Sequence, residues 1–376
     1  MQPKAARNIP IEALRLVAVA GIAVFHTFQW TFQATCVGLP EYAPLAAFPY
    51  SGVLGFINLL GCWANEVFFM ISGYFLIASA ARAWDGGATW RSQMQRTAQR
   101  LGKVIMPTAF YCLVALAWST VVSPIPDVTL STHYWYTLGL EFIWVYAATV
   151  FMAPWFGLAK SRLSQKSYTT TVIAVGILAF VVNGYLAAMS TTSASEFSWL
   201  QKLMSAATYV TAFLIGGLLR DVTDAMDSDR AGALGMRSLT AVLALATILE
   251  GALSFTGNLT AMAILSYKST SLISFALAAA SLLFAATRRS ASGNPRTVGV
   301  IVTLSTATLG FYVMQSLTSS LWRHVFNTLL ANILVSENSP AAICIITGTI
   351  ISIVFALALL IIDAARSLIV RKLKRQ

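Results

Sequence analysis

Long apolar segments recur along the whole chain, and they constrain its fold more than any other feature. Runs of about 20 residues, the length of helix that crosses a bilayer, follow one another from the first segment to the last. The chain is 57% hydrophobic and 10% charged, with a mean hydropathy of +0.72, and no soluble core requires so many runs of this length. The sequence therefore predicts an all-α, polytopic integral membrane helix bundle.

The boundaries of the apolar runs predict about ten transmembrane helices. These segments cover residues 11–31, 55–80, 104–122, 134–156, 168–189, 202–219, 238–256, 262–286, 298–317 and 341–363. The connections between them are short and carry neither repeats nor low-complexity sequence. We therefore expect a single membrane-embedded domain over residues 1–376, with no appended soluble domain.

Basic residues are distributed unevenly between the two sides of the predicted bundle. With the N-terminus inside, the inner segments hold 21 of the 25 Lys and Arg residues, Arg15 falls within the first helix, and the outer segments hold Lys202, Lys268 and Arg323. Positive charge concentrates in the cytoplasmic connections of membrane proteins, so this asymmetry predicts an N-in, C-in, multi-pass protein of the plasma (inner) membrane. The net charge of +11 is then a topology signal, and nucleic acid is not expected as a partner.

The cysteines show no pattern of metal ligation. Four are present, Cys36, Cys62, Cys112 and Cys344, and their spacing matches no metal-binding motif, so no metal site is expected. Cys36 and Cys62 both fall toward the outer side, an arrangement that allows a disulfide.

The first apolar run, "RLVAVAGIAVFH", carries Arg15 at one end and His26 at the other. Eleven positions at about 100° each bring the two side chains to the same helix face, about 16 Å apart along the axis. Arg15 alone is explained equally well by snorkelling to the headgroups. His26 lies about 22 Å from the inner boundary and cannot reach the cytoplasm, so it requires a polar partner or a wet cavity.

Two carboxylates come out at the same depth when the other helices are measured from their predicted inner ends. Glu66 in "NEVFFMISGYF" and Glu141 in "HYWYTLGLEF" each lie about 21 to 22 Å from that boundary. His26, Glu66 and Glu141 are therefore predicted to share one layer. Four further polar residues at similar depths extend it into a polar chamber, although Asn183 and Glu250 are explained more simply by packing hydrogen bonds. The other two are Tyr312 and Gln315.

This combination fits two kinds of function. A carboxylate that orients a histidine lets the other ring nitrogen take a proton from a hydroxyl while that oxygen attacks an acyl carbon, which is general-base acyl transfer. The same residue types form proton or substrate relays in transporters and flippases of lipid-linked or small solutes. The chemistry of the residues leaves these alternatives open.

Several motifs resemble those of the membrane-bound acyltransferase 3 family. The Arg15 to His26 spacing followed by "NEVFFMISGYF" at 65–75 is similar to the opening of that family, in which an Arg and a His at this spacing precede an acidic residue and an FFxxSGY-like run. Weaker similarities are "RTAQRLGKVIMP" at 96–107, "HYWYTLGLEFIWVYAATVFMAPW" at 133–155 and "LGFYVMQSL" at 309–317.

The resemblance implies transfer of an acetyl or other short acyl group from acyl-coenzyme A to a hydroxyl of a cell-envelope carbohydrate or similar acceptor. His26 would be the catalytic histidine, with Glu66 or Glu141 as its orienting carboxylate. Four residues are the candidates for donor binding, because they belong to the matched motifs or lie where a guanidinium or ammonium group meets the phosphates of a coenzyme. These are Arg15, Ser72, Arg100 and Lys103.

The chain departs from the family pattern in its late motif. Many relatives have a histidine where this chain has Gln315, followed by Ser316 instead of proline, and glutamine cannot act as a base. An interaction or sensory module that keeps the fold without activity is therefore a third, less favoured class. The expected donor is acyl-coenzyme A, most simply acetyl-coenzyme A, which would bind as a substrate and not as a permanent cofactor. The other expected partners are a glycan or lipid-linked acceptor, the bilayer and, for onward transfer, a separate extracytoplasmic protein.

Overall fold

The computed structural model describes residues 7–131, 134, 137–189, 198–267, 270–288, 294–336 and 340–373. Lys268, counted above among the outer basic residues, and His133, Trp135 and Tyr136 of the Trp-rich motif lie outside these ranges. Within them the chain forms fourteen α-helices and no β-strand, which confirms the all-α membrane bundle. The helices are α1 (Ile9–Cys36), α2 (Ala43–Ala46), α3 (Tyr50–Asp85), α4 (Trp90–Val121), α5 (Glu141–Arg162), α6 (Gln165–Met189), α7 (Ser198–Ala225), α8 (Ser228–Phe255), α9 (Leu259–Leu265), α10 (Leu272–Thr287), α11 (Pro295–Ser305), α12 (Thr308–Leu317), α13 (Ser319–Ser336) and α14 (Pro340–Leu373).

Eight of these helices are long and apolar enough to cross a bilayer, namely α1, α3, α4, α5, α6, α7, α8 and α14. The predicted ninth span breaks into α11 and α12, which meet at an angle of 43°. The predicted eighth span becomes the 16-residue apolar helix α10, preceded by the separate short helix α9. A count of ten requires that both the bent pair and α10 cross the membrane, and this count and the N-in, C-in orientation stay predictions.

Helix ends follow local capping chemistry. Asn8 begins α1 by accepting a hydrogen bond from the backbone N–H of Ile11, and Pro10 occupies the first turn, where a missing N–H is tolerated. Thr89 and Asp227 cap α4 and α8 in the same way. All three caps lie at the end of the bundle where α1 begins and α3 ends. We call this the inner end; the charge pattern predicts that it is cytoplasmic.

The predicted fourth span, 134–156, is shifted in the structure. The helix begins only at Glu141, because Gly139 adopts a left-handed conformation with φ 64° in the preceding turn. The hydroxyl of Ser316 donates a hydrogen bond of 3.3 Å to the Gly139 carbonyl and ties this turn to the end of α12. Tyr134 and Leu138, which the prediction placed in the span, therefore precede the helix.

Helix α3 forms the centre of the bundle and packs closely against α1, α5 and α7. A Cβ atom at Gly73 would overlap the carbonyl oxygen of Phe213 on α7, so only glycine permits this approach. At the inner end, Lys160 pairs with Asp221 and joins α5 to α7. The four cysteines are free, so Cys36 and Cys62 do not form a disulfide.

Candidate active site

A cavity of about 320 Å³ opens beside the break between α11 and α12. Arg15, Val19 and Ile22 line it from α1, and His26 is the next residue of the same helical stripe, one turn beyond Ile22. Since α1 is one continuous helix from Ile9 to Cys36, Arg15 and His26 lie on one face, as their spacing predicts. The cavity therefore runs along α1 from Arg15 as far as Ile22 and ends one turn short of His26, which does not line it.

Three of the four residues predicted to bind the donor line this cavity. Arg15 is joined there by Ser72 from α3 and by Lys103 from α4. The fourth is placed elsewhere, because the guanidinium of Arg100 donates to the hydroxyl of Ser79 at 3.3 Å and does not line the cavity. The structure thus brings together residues that are separated by 88 positions in the sequence, and it leaves Arg100 outside.

The mouth of the cavity is positively charged. Arg15 pairs with Glu12 at 3.0 Å, and 27% of its side chain stays exposed. Lys103 is exposed and pairs with no carboxylate in the described part of the chain. Two cations facing one carboxylate leave a net positive charge that attracts phosphate groups.

Aromatic side chains form the wall opposite α1. The ring of Phe142 stacks on Tyr312 with centroids 4.5 Å apart, and both residues line the cavity. The hydroxyls of Ser72 and Tyr146 share a hydrogen bond of 2.9 Å on the same wall. Phe68 lines the cavity, so its ring is accessible to a ligand.

The second phenylalanine of the FFxxSGY-like run belongs to the core. Phe69 is fully buried and stacks on Tyr209 with centroids 4.6 Å apart and an interplanar angle of 4°. It lies edge-on to Phe142, which holds the cavity wall in position. This run therefore combines a residue at the cavity with residues that fix the packing of α3.

His26 bonds to an arginine and not to a carboxylate. A terminal nitrogen of Arg323 on α13 lies 3.1 Å from Nδ1 of the ring. Since a guanidinium has no acceptor, Arg323 donates and Nδ1 accepts, so the neutral ring carries its proton on Nε2.

The predicted hydrogen bond between His26 and Glu66 is wrong. Glu66 is fully buried, and neither of its carboxylate oxygens has a hydrogen-bond partner. On α3 it is Gly61 that packs against Phe25, the neighbour of His26, and Glu66 lies five residues, or about 7.5 Å, closer to the inner end. The depth estimate failed because the predicted inner ends of α1 and α3, residues 11 and 80, do not lie at one level: counted from the Phe25–Gly61 contact, the end of α3 lies about 7.5 Å further inward.

Glu141 is also not bonded to His26. It is exposed in the first turn of α5. The structure therefore gives neither carboxylate the orienting contact that the sequence predicts, and a catalytic role for either one stays a prediction.

The polar chamber is smaller than predicted. Of the four further polar residues predicted to extend the chamber, only Tyr312 lines the cavity. Asn183 donates to Thr208 at 2.7 Å, a packing bond between α6 and α7. The carboxylate of Glu250 packs against Gly55 of α3 and has no hydrogen-bond partner. The amide nitrogen of Gln315 is likewise buried without a partner.

Arg323 is the functional candidate that the sequence interpretation missed. It was counted among the outer basic residues in a connection between two spans, whereas that connection is helix α13 and packs back against α1 and α14. One feature of the sequence could have identified it: basic residues are rare in the predicted outer segments, which hold only three.

A comparison with protein families identifies the chain. The profile of the acyltransferase domain of the acyltransferase 3 family matches residues 8–359 of the 376. The chain belongs to the acyltransferase 3 family. It is a multi-pass membrane acyltransferase, and this membership confirms the motif resemblance. No curated protein and no solved structure matches the chain significantly.

Proposed function

We propose that this acyltransferase moves an acetyl or other short acyl group from acyl-coenzyme A to a hydroxyl of a cell-envelope carbohydrate. One observation carries the proposal: a cavity with Arg15 and Lys103 at its mouth runs along α1 to Ile22, one turn from His26 on the same helix face. The donor would enter from the inner end, and the acceptor would approach from the opposite side of His26. The same proposal places the enzyme in the plasma membrane and includes a separate extracytoplasmic protein for onward transfer of the acyl group.

The size and charge of the cavity suit the donor. Ligand pockets range from about 300 to 1,000 Å³, and this cavity lies at the lower limit. It has room for an acyl group and its narrow pantetheine arm, while the nucleotide would stay at the mouth. There the phosphates would meet Arg15, whose planar guanidinium makes paired hydrogen bonds, and Lys103, which acts as a point charge. The rise along α1 from Arg15 to His26, about 16 Å, suits an extended pantetheine arm.

His26 would be the general base. The acceptor hydroxyl gives its proton to the imidazole while its oxygen forms a bond to the thioester carbon. The carbon–sulfur bond then breaks, and the coenzyme thiolate takes that proton from the imidazolium. In the arrangement described above the basic nitrogen is Nδ1, so Arg323 must release it before the reaction. The aromatic wall of Phe142 and Tyr312 would limit the access of water to the thioester.

The test uses purified protein in nanodiscs with radiolabelled acetyl-coenzyme A and extracts of envelope glycans. We expect His26→Gln to lose at least about a hundredfold in acyl transfer, the lower range of general-base contributions. His324→Gln is the matched control, because His324 is exposed on α13, and it should retain activity within about twofold.

Mass spectrometry of envelope glycans from a deletion strain would then identify the acceptor as the species that loses an acyl group. Unchanged glycans, together with no consumption of acetyl-coenzyme A by the folded protein, would contradict the proposed function.

A further inference from the structure

Arg323 is a half-buried cation without a carboxylate partner in the part of the chain that the structure describes. Its Nε atom is completely buried and has no hydrogen-bond partner. Its described contacts are Nδ1 of His26 at 3.1 Å and the ring of Trp322, whose centroid lies 5.5 Å from the guanidinium carbon. Neither oxygen of Glu66 bonds to it.

Such a guanidinium is costly to the fold. An unpaired buried donor loses its hydrogen bonds to water without replacement, and buried charges in proteins are normally paired. The described groups around it are weak substitutes for a counter-ion, because an imidazole lone pair and a tyrosine hydroxyl carry no negative charge and an indole ring offers only its π-face. The missing counter-ion is therefore best supplied by a ligand that binds beside His26.

We propose that Arg323 binds an oxyanion of the acceptor, a carboxylate or a phosphate close to the hydroxyl that is acylated, and that it blocks the base of His26 until this group arrives. The inference rests on the proposed function and adds the substrate class: an acidic glycan or a glycosyl phosphate. The planar fork of Nε and a terminal nitrogen matches two oxygens of such a group.

The hydrogen bond to His26 explains the blocking. Without an acceptor, Arg323 occupies the Nδ1 lone pair while Nε2 carries the proton, so neither nitrogen can take a proton from water. When the oxyanion engages the guanidinium, Nδ1 becomes free and accepts the proton of the acceptor hydroxyl. The donor is thus protected from hydrolysis in the absence of acceptor, with no change in any covalent bond.

The first experiment measures hydrolysis of acetyl-coenzyme A by the full-length protein without acceptor. Arg323→Ala should raise this rate roughly tenfold or more, the weight of one hydrogen bond to a charged group, because Nδ1 is no longer occupied. Millimolar sodium phosphate or sodium acetate should stimulate the wild-type protein, relative to sodium chloride at equal ionic strength, and should not affect Arg323→Ala. Stimulation by only one salt would distinguish phosphate from carboxylate recognition. The control Arg230→Ala removes an arginine whose side chain is 86% exposed and should behave as wild type.

A second readout does not depend on activity. In a protein that keeps only His26 through His133→Asn and His324→Asn, the ¹⁵N spectrum of the imidazole should show the Nε2-protonated form, and phosphate or acetate should shift it. The shift should be absent when Arg323→Ala is added. Equal spectra and equal hydrolysis rates for wild type and Arg323→Ala, with and without these anions, would overturn the proposal. If no variant hydrolyses the donor but the anions still shift the spectrum, the proposed function fails and the anion site stands.

Discussion

Arg15→Ala is the sharpest test of the donor site, because the side chain lies at the mouth of the cavity and has one local partner. Its guanidinium pairs with Glu12 at 3.0 Å, and 27% of the side chain is exposed. If the coenzyme phosphates bind there, the variant loses charge-assisted hydrogen bonds to them but leaves His26 in place. The expected effect is therefore on donor binding and not on turnover.

The magnitude follows from these contacts. A hydrogen bond to a charged group contributes about 1.5 to 3 kcal/mol, and each 1.4 kcal/mol is roughly a tenfold change in affinity. The partial exposure of Arg15 and its competing pair with Glu12 favour the lower value. We expect the KM for acetyl-coenzyme A to rise about tenfold, with kcat changed by less than about twofold. Arg15→Lys keeps the charge but loses the planar fork, so its KM should rise less.

Two further variants separate binding from folding. Arg15→Ala leaves Glu12 without its partner, and the Glu12 side chain is only 12% exposed. The double variant Glu12→Gln/Arg15→Ala removes that unpaired carboxylate and should restore thermal stability while KM stays high. Arg220→Ala is the matched control, since Arg220 is 28% exposed, pairs with Asp224 and does not line the cavity. A KM that is unchanged in folded Arg15→Ala, or that rises equally in Arg220→Ala, would assign Arg15 to the headgroup region instead.

Helix packing, a buried ion pair and the topology give three more measurable outcomes. Gly73→Ala should lower the free energy of unfolding in detergent by about 3 kcal/mol, because the added methyl group overlaps α7. Gly184→Ala should not destabilise the protein, because a Cβ atom there has no neighbour within 4 Å, and equal melting temperatures for the two variants would contradict this packing. Asp363→Asn should cost about 3 kcal/mol, because Asp363 is 1% exposed and accepts hydrogen bonds from α4 and α14; an unchanged melting temperature would refute that role. A single cysteine at Arg91 should resist an impermeant thiol reagent in intact cells and one at Asp127 should react, and the reverse pattern would invert the predicted topology.

The predictions that held depend on geometry within one helix or on strongly biased composition. The Arg15 to His26 relation needs only an unbroken α1, because the 3.6-residue period fixes which residues share a face. The all-α bundle follows from the repeated apolar runs of about 20 residues, which a soluble core does not require. Ser72 and Lys103, chosen from the motif resemblance and from the charge near the inner end, both line the cavity, and their role in donor binding stays a prediction.

The predictions that failed compare depths between different helices. Depth was counted from the predicted end of each span, and an error of five residues displaces a side chain by about 7.5 Å, more than a hydrogen bond can bridge. Glu66 is displaced in this way. For Glu141 the prediction missed a turn. The left-handed Gly139 lies just before α5, so the helix begins at Glu141, whereas the apolar composition predicts a helix that starts earlier. Arg323 lies on α13, which has no apolar run long enough to identify it as part of the bundle.

If His26 is the base, as proposed, then the presence of Arg323 beside it in place of the predicted carboxylate changes when that base is available. A carboxylate at Nδ1 accepts the ring proton, leaves the other nitrogen free and stabilises the imidazolium, so such a base is ready before substrate arrives. A guanidinium at Nδ1 does the opposite, because it occupies the lone pair and repels a second positive charge. An enzyme whose thioester donor waits in a cavity next to water needs protection from hydrolysis more than it needs a permanently active base. If the anionic acceptor moves Arg323, the same contact that restrains the base selects the substrate, and loss of Arg323 should both raise hydrolysis and abolish the preference for acidic over neutral acceptors.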